Sequence, residues 1–177
     1  MKRLAMILHG LSDRLNLAAE FLSALMFLGM LLTVLLQVVA RYIFHSPPFW
    51  TEELARWLMV WGGLLGATVA FHTRTDPAIV NPPKDHPGRQ KVQIVSRFVA
   101  AWLFFLPVIW FCYPFVLRQI DRPSEGLHIS TAWMAMALPI SAILTCLHAL
   151  SGLLSLSLYD QRSVQAQSGQ SELEIEI

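Results

Sequence analysis

Apolar residues run through this chain in four long blocks, each able to cross a bilayer as a helix, which takes about 20 residues. The blocks extend from Leu17 to Phe44, Thr51 to Phe71, Val92 to Leu117 and Thr131 to Leu158. The first connection is the short "HSPPFW". The second, "RTDPAIVNPPKDHPGRQ", is rich in proline and polar residues and is expected to be an irregular loop. Pro107 and Pro114 are expected to kink the third block, which membrane helices tolerate where neighbours satisfy the freed carbonyls.

Ahead of the first block, Leu4, Leu8, Leu11 and Leu15 recur at helical spacing among Lys2, Arg3, Ser12, Asp13 and Arg14. Residues 1–16 are therefore expected to be an amphipathic helix on the cytoplasmic membrane surface. A cleaved signal peptide fits poorly, because His9 and Gly10 break the apolar core and no clear small-residue cleavage site follows. Residues 159–177 are polar and are expected to form a disordered tail. The expected fold class is an all-α integral membrane protein: an interfacial amphipathic helix, a four-span domain over residues 17–158 and the tail.

Composition strengthens this picture. Of 177 residues, 55% are apolar and only 14% charged, against roughly 25% charged in ordinary globular chains. The net charge of +1 and the lack of a basic run interleaved with aromatics give no reason to expect nucleic acid as a partner. The sign of the flanks sets an orientation. Lys2, Arg3 and Arg14 precede the first span, "HSPPFW" carries no basic residue, and the second connection holds Arg74, Lys84, Arg89 and Lys91. Arg118 and Arg122 are the only arginine or lysine residues of the third. Both termini are expected in the cytoplasm.

Three charges stand at the head of the second span, in "FWTEELARWLMVWGGLLGATVAF". Such groups suit catalytic carboxylates, an ion pathway or a structural clamp. Thr51 fits an N-cap, and Glu52 and Glu53 then lie where the helix dipole favours anions. Arg56 is spaced to pair with either glutamate. At about 100° per residue, Glu52, Arg56, Gly63, Gly66, Ala67 and Ala70 share one face. Trp57, Leu58, Trp61, Leu64, Leu65 and Thr68 share the other. The pairs Gly62-xxx-Gly66 and Gly63-xxx-Ala67 allow close helix approach, so the smooth face is expected against protein and the bulky one against lipid.

The first span repeats the pattern. Glu20, Ser23, Met26, Met30, Thr33, Gln37 and Arg41 form a polar stripe, in which Gln37 needs a hydrogen-bond partner. In the fourth, Ala137, Ser141, Thr145 and Ala149 form a small-residue ladder. Such faces are consumed either inside the bundle or by a further subunit, and their number favours a partner.

Chemistry of its own is hard to find in this chain. Glu20, near the inner end of its span, reads as interfacial rather than as a proton-coupled site. His72 and His148 are one conceivable haem pair, with nothing in the sequence to fix their faces. Cys112 and Cys146 lie in apolar stretches without CxxC spacing and read as packing residues. No nucleophile with a base, phosphate loop or metal-ligand cluster is visible, so no catalytic residue, cofactor or metal is expected. The absence of paired broken helices argues against a self-contained inverted-repeat transporter.

The segment Glu52, Glu53, Arg56, Gly62, Gly63, Gly66 and Ala67 resembles the E-E-x-x-R turn and Gly-rich continuation of the DctQ-type family, the small membrane subunits of tripartite ATP-independent periplasmic (TRAP) transporters. "GLHISTAWMAMALPISAILTCLHAL", with Pro139, is similar to that family's lead into its last span. The likeness covers roughly residues 20–157. One region departs: the family's arginine-rich turn with a following histidine is replaced by "FHTRTDPAIVNPP".

The resemblance implies a scaffold in the bacterial inner membrane, paired with a large elevator-like subunit that performs sodium-coupled import. A periplasmic binding protein would deliver the substrate, an organic acid. Glu52, Glu53 and Arg56 would brace the outer end, and Gly62, Gly63, Gly66, Ala67, Ala70, Gln37 and Arg41 would belong to the subunit interface. Rival classes are a stand-alone four-span exporter using Glu20, and a membrane redox protein, which would need paired periplasmic cysteines.

Overall fold

The computed structural model describes residues 2–73, 75 and 87–153, with the backbone alone for 2–6, 87–91, 93 and 94. The expected polar tail and most of the proline-rich second connection lie outside the described residues. Among the described residues the chain is all helical, apart from one isolated bridge between Pro123 and Ser130, and has four helices long and apolar enough to cross a membrane. These are α1 (Lys2–Tyr42), α2 (Trp50–Thr73), α3 (Pro87–Ile120) and α4 (Ala132–Leu153). In hydrocarbon every backbone group must bond within the segment, so long apolar runs have few alternatives to helix.

The expected N-terminal helix and the first span are one helix, α1, of 41 residues. At 1.5 Å per residue it is about 60 Å long, roughly twice the hydrocarbon thickness. Ser12 and Asn16 are buried, whereas Ile7 and Leu11 face outward. The fourth helix opens with the turn Ala132–Ala135, is interrupted at Met136 and then continues. Pro139 lies just beyond and has no N–H to give the preceding turn. Helix α3 runs through Pro107 and Pro114.

Helices α1 and α2 pack antiparallel along their length. Ser12 meets His72 at one end, Ser23 Oγ donates to the Gly62 carbonyl at 2.8 Å in the middle, and Gly29 faces Leu58 beyond it. A Cβ added at Gly66 would stand 3.1 Å from Ser23 Oγ, and one at Gly62 would stand 3.3 Å from Met26 and Phe27. The Gly62-xxx-Gly66 pair is thus used inside the chain. Bare glycine lets the two backbones approach closely enough for the serine to reach across.

Helix α4 is the central element: 50% of its apolar window is buried, against 11% for α1 and for α3. Ala137, Ser141, Thr145 and Ala149 are all buried, so this ladder too is consumed within the bundle. Phe98, Ala101 and Ala149 form a core cluster on which Phe71, Trp102, Phe105 and Leu153 pack. Gly152 sits directly against the Phe98 ring, where any side chain would collide. Outward, α1 and α3 expose Leu17, Phe21, Leu103, Trp110 and Phe111, an apolar perimeter that suits lipid.

Candidate functional site

The N-terminal end of α2 opens directly after "HSPPFW". Thr51 is fully buried, but it does not cap the helix as expected. It already lies within α2, and its hydroxyl donates back to the Pro48 carbonyl at 2.7 Å. This fixes the turn that leads the chain into α2. Preceding it, His45 takes a left-handed conformation with φ 55°, and the Ser46 N–H bonds to the Ala40 carbonyl at the end of α1.

The two glutamates have separate roles. Arg56 Nη2 donates to Glu52 Oε1 at 3.1 Å, an exposed pair one turn apart. Glu53, half-buried, turns the other way: its Oε2 accepts the backbone N–H of Gly126 at 2.6 Å and of Leu127 at 3.2 Å. The charged turn is therefore a clamp, and one carboxylate reaches the connection between α3 and α4. Gly126 is required by the close approach, since a Cβ there would lie 2.7 Å from Glu53 Oε2 and 3.1 Å from the Trp50 Cα.

Hydroxyl groups organise the rest of that connection. Ser124 N–H bonds to Ile129 O at 2.8 Å and Thr131 N–H to Arg122 O at 2.9 Å. Ser130 Oγ donates to the carbonyl of Ile120 at 2.8 Å, and it accepts the Ala132 N–H at 3.2 Å. One serine thereby serves the exposed carbonyl end of α3 and the amide end of α4, both of which lack intrahelical partners. His128, with φ 55°, sets its ring edge-on to Phe49, 6.4 Å between centroids. Between this loop and α2 lies an open groove of about 620 Å³ lined by Glu52, Arg56, Trp57, Arg122 and Met134, among others.

Below the clamp, the faces of α2 are distributed differently from the sequence expectation. Trp57, Leu65 and Thr68 are buried rather than lipid-facing, and Trp61 Nε1 donates to the Trp133 carbonyl at 3.2 Å. The bulky side fills the space against α1 and α4, where its dispersion contacts are made with protein. The exposed side of α2 is a stripe: Glu52, Arg56, Met59, Gly63 and Ala67. A Cβ built at Gly63 would meet no described atom within 4 Å. Gly66 and Ala70 are half-buried beside the stripe, and Gly62 is buried against α1. On α1, Gln37 is half-buried and Arg41 exposed in the last turn, where a cation suits the helix dipole. Met59 belongs to the stripe and was not anticipated; its side chain gives no signal of partnership in the sequence.

The remaining candidates resolve as follows. Glu20 is exposed, while Ala19 and Ser23 beside it are buried. The rings of His72 and His148 touch one another, 4.6 Å between centroids, leaving no gap for a porphyrin between them. Cys112 and Cys146 are both free and buried, on different helices.

Comparison with known proteins agrees with this architecture. Residues 30–158 match the family described as tripartite ATP-independent periplasmic transporters, DctQ component. The sialic acid TRAP transporter permease protein SiaT of Haemophilus influenzae is 30% identical over 134 residues, which are 73% of this chain and 21% of that longer protein. The sialic acid TRAP transporter small permease protein SiaQ of Vibrio cholerae is 24% identical over 130 residues, 73% of this chain and 75% of that protein. The match spans the Glu52–Arg56 turn, the loop that Glu53 holds and the whole of α4. With four apolar helices, a clamped N-terminal end of α2 and this match over most of its length, the chain belongs to the DctQ family of TRAP transporter small membrane subunits.

Proposed function

We propose that this chain is the stationary membrane subunit of a TRAP transporter, and that the uncovered stripe of α2 is its seat for the large multi-span subunit. That partner carries the substrate and sodium sites and moves by an elevator-like motion against the wall this chain provides. A periplasmic binding protein delivers the substrate to the assembled pair. The complex resides in the bacterial inner membrane, with both termini of this chain in the cytoplasm.

One observation carries the reading. The small-residue ladder of α4 and the Gly62-xxx-Gly66 pair are spent inside the bundle, whereas Gly63 and Ala67 are left bare beside an exposed ion pair. Lipid tails gain nothing from a flat helix face, but a second helix does, because its backbone can approach closely. The relative SiaT supports the same view, since the matching segment is 21% of a longer permease polypeptide. Both relatives are named for sialic acid, a sugar acid, which favours a carboxylated substrate for the assembled transporter.

Co-expression with a large TRAP permease subunit, followed by reconstitution with a binding protein under a sodium gradient, tests this. Uptake is expected only when all three proteins are present. Solute movement by this chain alone in vesicles overturns the assignment.

A further inference from the structure

Ser23 fixes how α1 lies on α2. Its Oγ donates to the Gly62 carbonyl at 2.8 Å and stands 3.1 Å from where a Cβ on Gly66 would be. The helices run antiparallel, so stepping back along α1 from Ser23 to Glu20 reaches the level of Ala67 on α2. Thr51 and His72 bracket α2 and stand roughly 30 Å apart, the thickness of a hydrocarbon core. A core centred on α2 therefore places Glu20 about 8 Å inside its His72 end, farther than a glutamate side chain spans. Asp13, the next acidic residue toward that end, is about two helical turns away and is met there by His9 and His72.

Glu20 has no such company. It is exposed and makes no ion pair or hydrogen bond among the described residues. Arg14 lies about 9 Å along α1 and about 120° round it, too far to reach. The exposed neighbours are Leu17 and Phe21, so a lone carboxylate stands on an apolar edge. Ionisable groups at this depth face protein or a water-filled cavity and are paired, because lipid tails neither solvate nor neutralise them.

The edge adjoins the bare stripe of α2. At about 100° per residue, Glu20 lies roughly 60° round α1 from Ser23, and Ala67 roughly 100° round α2 from Gly66. In an antiparallel pair these displacements open on the same side. Ala67 is exposed there, level with Glu20.

We infer that the Glu20 edge of α1 extends the α2 seat, and that the helix of the large subunit lying there sets an arginine or lysine against the Glu20 carboxylate. This rests on the seat proposed above. A cation both neutralises the carboxylate and supplies charge-assisted hydrogen bonds, and arginine can bond both oxygens at once. A second copy of this chain, meeting the edge by two-fold symmetry, would set carboxylate against carboxylate.

Co-expression of the full chain with a large TRAP permease subunit, followed by affinity purification in detergent, tests the contact. E20Q keeps the shape and removes the charge, and is expected to lower recovery of the complex about tenfold, the loss of one charge-assisted hydrogen bond. E20K sets like charges together and is expected to abolish the complex. Both variants are expected to unfold alone at the parent temperature, since Glu20 bonds nothing within the described chain. A photoreactive phenylalanine analogue at position 20 is expected to cross-link to the large subunit. Parent-level recovery with E20Q and E20K, while Gly63→Leu breaks the complex, overturns the Glu20 contact and leaves the α2 seat standing. Cross-links to lipid alone, or to a second copy of this chain, overturn it as well. Failure of the parent chain to co-purify removes the seat and this inference together.

Discussion

The Glu53 carboxylate accepts the Gly126 backbone N–H at 2.6 Å, across 73 residues of sequence. This single contact joins the E-E-x-x-R turn to the "GLHIS" approach to the last span, both inside the residues that match the family. Among the described residues, Glu53 is the charge of the turn that reaches a distant segment of the chain, whereas Glu52 and Arg56 pair with each other. A carboxylate accepting two backbone N–H groups makes strong, charge-assisted bonds. Glu53→Ala is expected to lower unfolding stability by about 2 kcal/mol or more, because the Gly126 and Leu127 amides lose their acceptor. Glu53→Gln, which keeps an oxygen in place, is expected to lose less. Thermal unfolding in detergent measures both, and an unchanged midpoint for Glu53→Ala rules the clamp out.

Gly126 offers the reciprocal test. Its backbone is needed for proximity rather than for a positive φ, since a Cβ would collide with Glu53 Oε2 and crowd the Trp50 backbone. Gly126→Ala is expected to weaken the chain by about 1–3 kcal/mol, the usual range for forced overpacking. Combined with Glu53→Ala it is expected to add little further, because the two changes destroy the same contact. Additive losses in the double variant would contradict that shared origin.

Gly62 and Gly63 are neighbours in sequence and point about 100° apart on the helix. One faces Met26 and Phe27, and the other faces none of the described residues. Gly62→Leu is therefore expected to destabilise the isolated chain, again by about 1–3 kcal/mol. Gly63→Leu is expected to leave its unfolding unchanged and to reduce co-purification with the large subunit. The reverse outcome, a weakened monomer and an intact complex for Gly63→Leu, would remove the α2 stripe as the interface.

Much of this was legible in the sequence for a simple reason: an apolar run of about 20 residues has few structures available in hydrocarbon. The clustering of α2 residues into two faces was legible too, from helical period alone. Which face meets protein was not, and the bulky face proved to be the one turned inward, with Trp57 and Leu65 buried. Periodicity groups residues but does not rank the partners on offer. The N-terminal turns misled for a related reason. Ser12 reads as part of a polar surface, yet its bonding partners are His72 and His148, 60 and 136 residues away. Arg56 choosing Glu52 over Glu53 likewise depends on the distant loop that claims Glu53.

Orientation rests on the lysine and arginine bias of the connections. A cysteine introduced at Ser46, in the exposed turn after α1, is expected to react with a membrane-impermeant maleimide added to whole cells. One at Arg14 is expected to react only after the inner membrane is opened. The opposite pattern would invert the topology.

Arg56 separates bracing within the chain from bracing between chains. Its bond to Glu52 is 3.1 Å long and both side chains are more than half exposed. Exposed pairs of this kind contribute at most about 1 kcal/mol, so Arg56→Ala is expected to unfold close to the parent chain. If the pair lies in the subunit interface, however, truncating the arginine leaves Glu52 desolvated without its counter-ion on assembly, a loss of about 2–5 kcal/mol. Recovery of the complex should then fall sharply while the substrate preference of whatever complex remains is unaltered. Restoring neutrality with the double variant Glu52→Gln/Arg56→Ala should recover part of the yield, since no unpaired charge is then buried. Full assembly by Arg56→Ala with altered substrate preference would place Arg56 on the transport path and end its role as a brace.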